Sequence, residues 1–184
     1  HHASNVLFNI MRGGIFIDNY AIGKADFTAF CGEWNRAVFE ANKPFFDALP
    51  ASMTYHDLDA ALENSTDPQL QRLCREYLPL SFSRRHGDPS RPWNRFAIKV
   101  KDEKGKKLLN YEGNWRDIFQ NWEALSSSIP CFGANMISKF VNATTADGYN
   151  PYRITRQGID WERPEPDNPW ANTGYWGDHQ RLYL

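Results

Sequence analysis

The sequence is short of the residues from which most globular cores are built. Leu, Ile and Val together number 27 in 184 residues, no more than Phe, Tyr and Trp together. Aliphatic side chains ordinarily outnumber rings by a wide margin, so rings must do much of the burying here. Cysteine is scarce as well. Cys31, Cys74 and Cys131 are widely spaced and odd in number, which speaks against a disulfide framework and against a zinc module, and fits a reducing compartment. A cytoplasmic location is therefore expected. No run approaches the ~20 apolar residues that a membrane helix requires. Neither sign of charge dominates: the net charge is −1 and the pI about 6.6, a balance unlike that of a dedicated nucleic-acid binder. With so little net charge and so many rings, the chain does not read as disordered.

Several motifs are also missing. No P-loop, GxGxxG, HExxH or GxSxG stretch occurs, so nucleotide, zinc-protease and serine-hydrolase chemistry find no support. Asp160, Glu162, Glu165 and Asp167 have prolines between them that break the spacing of a calcium loop. No metal and no cofactor is expected.

What is present reads as mainly helical. Asp26 is placed to cap a helix running to about Asn42, with Phe27, Phe30, Trp34, Val38 and Ala41 at spacings of three and four. Pro44 and Pro50 bracket an expected loop. Thr54-x-x-Asp57 predicts a capped helix with Leu58, Ala61 and Leu62 inward, and Asp67-Pro68 predicts another, with Leu70, Leu73, Cys74 and Tyr77 inward. A polar, basic loop spans 81–95. One β-hairpin, about 95–112, turns at Asp102-Glu103-Lys104-Gly105 and is the one β-element the pattern predicts. A helix over about 115–127 and another from Pro130, with Met136, Ile137, Phe140 and Val141 inward, come next. Residues 144–174 read mostly as a long loop rich in Asn, Asp, Pro and aromatic residues; loops of that length usually carry function or are disordered. The chain opens on His1-His2 rather than Met, and its last residues read as the start of a helix. We therefore expect a single helical domain over 1–184, or a fragment of a larger one.

Two segments concentrate polar chemistry at expected helix starts. Gly113-Asn114-Trp115-Arg116-Asp117 leads into a helix with Gln120 one turn on, and Tyr175-Trp176-Gly177-Asp178-His179-Gln180 opens a second. Carboxylates, guanidinium groups and amides hydrogen-bond vicinal hydroxyls, while a ring covers the apolar face of a sugar. The same residue types also suit an ordinary helix start, with Asp in the first turn and Trp in the core. A third cluster, Arg84, Arg85 and His86 in the basic loop, is a candidate anion site, since arginine matches phosphate bidentately.

The stretch Trp115-Arg116-Asp117-x-x-Gln120-Asn121 resembles the Phe/Tyr-Arg-Asp-x-x-Gln-Asp motif of the inverting, cellobiose-phosphorylase-like β-glucoside phosphorylases, with Trp115 and Asn121 departing from it. The second segment sits where that family has another Arg/Asp-containing substrate segment. The resemblance implies an (α/α)6 barrel, here a partial one built of helical hairpins, and a glucosyl subsite held by Arg116 and Asp117. Trp115, Gln120, Trp176 and Asp178 would line the same subsite. It also implies a general acid C-terminal to both segments, outside the chain, so no catalytic residue is assigned. The expected partners are an oligosaccharide or glucoside, inorganic phosphate if the reaction is phosphorolysis, and the rest of the barrel. No nucleic-acid or membrane partner is expected. The alternatives are a non-catalytic carbohydrate-binding module and a helical interaction domain whose Trp residues serve only core and interface.

Overall fold

A computed structural model of the chain describes residue 7, residues 21–79, 101–115, 118, 122, 126–127, 130–161, 167 and 175–176. It is mainly helical with small antiparallel sheets, and it divides into two compact units. One is Phe16–Pro79; the other combines His1–Ile15 with Leu80–Leu184.

In the Phe16–Pro79 unit, the first element among the described residues is a short strand, β1 (Ile22–Gly23), paired antiparallel with β2 (Ser52–Met53). Between them lie α1 (Lys24–Trp34), α2 (Arg36–Ala41) and α3 (Lys43–Ala48), and after β2 come α4 (Tyr55–Glu63) and α5 (Pro68–Arg75). The helix expected from Asp26 to Asn42 is two helices. Asn35 leaves helical geometry and its side chain accepts from the N–H of Val38 at 3.2 Å, a local bond that starts α2 afresh. Asp26 does not cap. It lies in the first turn of α1, and its carboxylate accepts the Tyr77 hydroxyl at 2.6 Å. The expected loop after Pro44 holds α3, because a proline in the first helical turn lacks only an N–H that would have no partner there. Lys24 ties the end of α3 back to the start of α1: its ammonium donates to the carbonyls of Asp47 and Leu49 at 2.8 and 2.9 Å.

Both caps read from the sequence form. Thr54 and Asp57 make a reciprocal capping box on α4, and Asp67 accepts from the N–H of Gln69 at 2.9 Å, with Pro68 leading α5. The other Asp67 oxygen accepts from the Asn42 amide at 2.8 Å, which fastens the start of α5 to the α2–α3 junction. The inward positions follow the predicted stripes at Leu58, Leu62, Leu70, Leu73, Cys74 and Tyr77. Rings fill the centre. Tyr77 stands edge-on to Phe27 and Phe30, with centroids 5.2 and 5.3 Å away, and Phe46 packs on Phe27, Phe39 and Phe45. Such tilted and perpendicular contacts set the positive edge of one ring against the negative face of the next.

In the second unit, the expected hairpin turn is present. Lys101 and Lys107 form an antiparallel bridge, Asp102 accepts from the N–H groups of Lys104 and Lys106, and Gly105 takes a φ of 80° that a side chain would resist. Residues 95–100 lie outside the described residues. The stretch expected to be mostly loop from 144 holds three short strands: β4 (Tyr149–Asn150), β5 (Arg153–Thr155) and β6 (Ile159–Asp160). β5 is the middle of a three-stranded antiparallel sheet in the order β3 (Glu112–Asn114), β5, β6, and β4 pairs with β7 (Tyr175–Trp176). Strands of two or three residues are too short to show an alternating pattern, so the sequence reads as loop.

A short 3-10 turn (Pro130–Phe132) precedes α6 (Gly133–Asn142). The buried face of α6 is rotated from the predicted one. Met136 and Phe140 do point inward, together with Asn135 and Lys139, while Ile137 and Val141 face out at 44% and 55% exposure. No helix among the described residues is long and apolar enough to cross a membrane.

Candidate functional site

The geometry around Trp115 begins with a glycine. Gly113, the middle residue of β3, faces the fully buried side chain of Ile118 across a gap too small for any side chain of its own. A Cβ placed on it would lie 2.7–2.8 Å from three carbons of Ile118. The next backbone link is the N–H of Trp115, which donates to the carbonyl of Tyr152 at 3.0 Å, so the strand ends and the helical turn begins against the β4–β5 segment. Trp115, Ile118 and Trp122 have helical backbone at spacings of three and four, and all three side chains are buried.

Below this turn lies a cluster of rings. Phe140 of α6 packs on Trp115 and Trp122 with centroids 5.2 and 4.9 Å away, and Trp122 meets Tyr111 edge-on at 5.5 Å. Lys139 is buried among them, its ammonium 5.9 Å from the centroid of the Tyr111 ring, within cation–π range. The indole N–H groups of Trp115 and Trp122 are buried and have no acceptor among the described residues.

The segment 149–153 is the hub of the site. Its first two residues pair with β7, Tyr149 opposite Trp176 and Asn150 opposite Tyr175. Its fourth, Tyr152, accepts from Trp115 and donates its own N–H to the carbonyl of Asp160 at 2.8 Å. Its fifth, Arg153, lies in β5 between β3 and β6. Alternation puts Glu112, Arg153, Thr155 and Asp160 on one face of that sheet, while Ile154, on the other face, is buried. On the polar face the Arg153 guanidinium bridges two carboxylates: it donates to Glu112 at 2.6 Å and through Nε to Asp160 at 2.6 Å, with a second contact to Asp160 through Nη2. The loop before β4 is held by Thr145, whose hydroxyl pairs with the Tyr149 backbone and with Asp147; that hydroxyl keeps the Asp147 carboxyl below the usual carboxylate range. Trp161, which follows β6, stacks on Tyr149 with ring planes 13° apart.

Of the residues read from the sequence, Trp115 is the one whose side chain can be placed, and it is 0% exposed. Trp176 lies in β7 opposite Tyr149. Arg116, Asp117, Gln120 and Asp178 fall outside the described residues, as do Arg84, Arg85 and His86. The backbone does bring the two sequence segments to a common neighbour. β7, which carries Trp176, and the turn that starts at Trp115 both hydrogen-bond to residues within 149–152. The sequence marks 144–174 as an aromatic-rich loop but gives no signal for Arg153 or Glu112. Their ion pairing depends on strands that pair across 41 residues of chain. Among the described residues, no group of three His, Cys, Asp or Glu side chains could hold a metal ion.

Residues 16–79 match the family model described as glycoside hydrolase family 149 insertion domain 1. The bounds of the match are those of the Phe16–Pro79 unit, and the other unit flanks it in sequence on both sides, as an insertion requires. No curated protein matches the chain. The match covers about a third of the chain and likens that unit to an insertion domain of a glycoside hydrolase family.

Proposed function

We propose that the chain is the sugar-binding part of an inverting glycoside phosphorylase or hydrolase acting on β-glucosides. In this reading Phe16–Pro79 is an insertion, and residues 80–184 contribute helices to a partial (α/α)6 barrel. Arg116 and Asp117 hold the glucosyl unit, with Gln120, Trp176 and Asp178 beside them. Trp115, whose ring has no exposed surface, seats the turn from which Arg116 and Asp117 follow. The observation that carries the reading is the shared neighbour. Two segments with Trp, Asp and Gln at their expected helix starts lie far apart in sequence, yet the backbone at Trp115 and at Trp176 bonds to one short stretch, 149–152.

Titration of the 184-residue chain with glucose and cellobiose, followed by tryptophan fluorescence, tests this. A saturable change that Arg116→Ala and Asp117→Asn weaken by about tenfold or more is the expected result, since each would remove a charge-assisted hydrogen bond to a sugar hydroxyl. Absence of a saturable change, or variants that bind as the wild type does, would refute the assignment. A native sequence continuing into a downstream carboxylate motif would supply the general acid that inverting chemistry requires.

A further inference from the structure

Trp161 is one of the few large apolar side chains exposed among the described residues, at 38%. It is also fixed in place. The indole stacks with the Tyr149 ring, centroids 6.0 Å apart and planes 13° from parallel, and Tyr149 is itself held by its backbone pairing with Trp176 and by Thr145. The surroundings are polar rather than apolar. Asp160, the preceding residue, is 45% exposed and uses only Oδ2 on Arg153, so Oδ1 makes no hydrogen bond among the described residues. Asp147 and Thr145 lie on the loop leading to Tyr149.

This arrangement narrows the class of ligand. A protein partner of ordinary affinity would bury about 800 Å² of this surface, several times what one indole offers. A free anion would meet the negative face of a ring beside a carboxylate. A pyranose ring fits both parts: its C–H face covers the ring, and its equatorial hydroxyls donate at the rim. We infer that the Trp161–Tyr149 pair is a stacking platform for one glucosyl ring of a β-linked oligosaccharide, with Asp160 Oδ1 as an acceptor for its hydroxyls. The platform is formed in advance, so little side-chain freedom is lost on binding. The inference rests on the proposed sugar-binding function: a chain that holds one glucosyl unit at Arg116 and Asp117 and another on this platform takes an oligosaccharide.

The test is calorimetric titration of the 184-residue chain with glucose, with a β-1,4-linked glucotetraose and with a β-1,3-linked glucotetraose. Trp161→Ala should bind at least one tetraose about tenfold more weakly than the wild type, equivalent to about 1.4 kcal/mol, with glucose binding unchanged. Trp161→Tyr, which keeps a flat ring, should recover most of that loss. Trp161→Ala binding both tetraoses as the wild type does, while Arg116→Ala does not, would overturn the platform and leave the sugar subsite standing. An equal loss for glucose and tetraose would also overturn it, since that is the signature of a disturbed inner site. A wild-type chain that binds neither tetraose nor glucose would overturn both.

Discussion

Replacing Gly113 with alanine adds one methyl group at the point where β3 turns towards Trp115. Its φ is not in the left-handed region, so the backbone accepts alanine, and reduced freedom of the unfolded chain alone would stabilise the protein by about 0.4–1 kcal/mol. The added carbon, however, would sit 2.7 Å from Cδ1 and 2.8 Å from Cβ and Cγ1 of Ile118. Carbon pairs prefer separations of roughly 3.5–4.0 Å, so Ile118 must give by about 1 Å. It cannot swing into solvent, because it is fully buried. Overpacking of this kind costs about 1–3 kcal/mol, and the cost for a fully buried neighbour that cannot move lies in the upper part of that range, so a net destabilisation of roughly 1–2.5 kcal/mol remains after the entropic gain.

Gly133 provides the control within the same unit. A Cβ there meets nothing within 4 Å, its φ is ordinary, and it is the first residue of α6, so Gly133→Ala should stabilise by up to about 1 kcal/mol. The same chemical change thus has opposite signs at two positions. Urea unfolding followed by tryptophan fluorescence reads both, since six of the seven Trp lie at or after Trp93 and so belong to this unit. Ile118→Ala in the Gly113→Ala background removes two of the three clashing carbons and should cost less than the sum of the single changes. Gly113→Ala as stable as the wild type, or more so, would refute the close-packing account of how β3 seats Trp115.

Two further outcomes follow from the Phe16–Pro79 unit. Cys31 and Cys74 are both buried; burial foremost, and then its contact with the Cys74 thiol, pushes the Cys31 thiol far up. Burial also keeps both sulfurs out of a reagent's reach, so iodoacetamide under mildly alkaline conditions should label neither residue in the native chain and both in denaturant, read by peptide mass spectrometry; rapid native labelling would contradict the packing of α1 on α5. The Asp57 carboxyl is held down by the Thr54 N–H and hydroxyl, and that of Asp67 by the Asn42 amide and the Gln69 N–H. A carboxyl whose value is lower folded than unfolded adds stability above its unfolded value, near ~4, and loses it as pH falls below that. Hydrogen-exchange protection in α4 and α5, with the rates corrected for the pH dependence of intrinsic exchange, should therefore fall below about pH 4, and Asp67→Ala should lower it in α5 at neutral pH while weakening the acid dependence; protection insensitive to both would count against the caps.

What the sequence made legible was local. The capping box at Thr54 and the Asp67-Pro68 start are bonds between residues two or three apart, and both form as read. The break at Asn35 is local too, but the apolar stripe runs across it, so periodicity alone reads one helix. The rotation of α6 had no local signal. Ile137 and Val141 are the apolar choices for an inward face, yet Asn135 and Lys139 take it, with Lys139 beside the Tyr111 ring, a neighbour remote in sequence. The candidate site divides in the same way. Residue types pointed to Trp115, Trp176 and the aromatic loop, whereas the part played by 149–153 depends on which short strands find one another, and strands of two or three residues carry no pattern that names their partners.

The family match and the candidate site bear on different parts of the chain, and that separation sharpens what each can support. Among the described residues, one ring-rich core cluster of the matched unit runs from Ile22 to Tyr77, and its members all belong to that unit. A unit of that kind can interrupt another without supplying any of its chemistry, which is the physical sense of an insertion. The match therefore speaks for context, a glycoside hydrolase-family setting, and not for the sugar contacts. The proposed sugar contacts are assigned to residues 112–178, where described rings and charges that the sequence scatters along the chain are gathered by β3, β5, β6 and the β4–β7 pair. Changes that weaken saccharide binding should accordingly fall in that stretch, and changes on the outer surface of α2, α3 or α4 should leave it as it was.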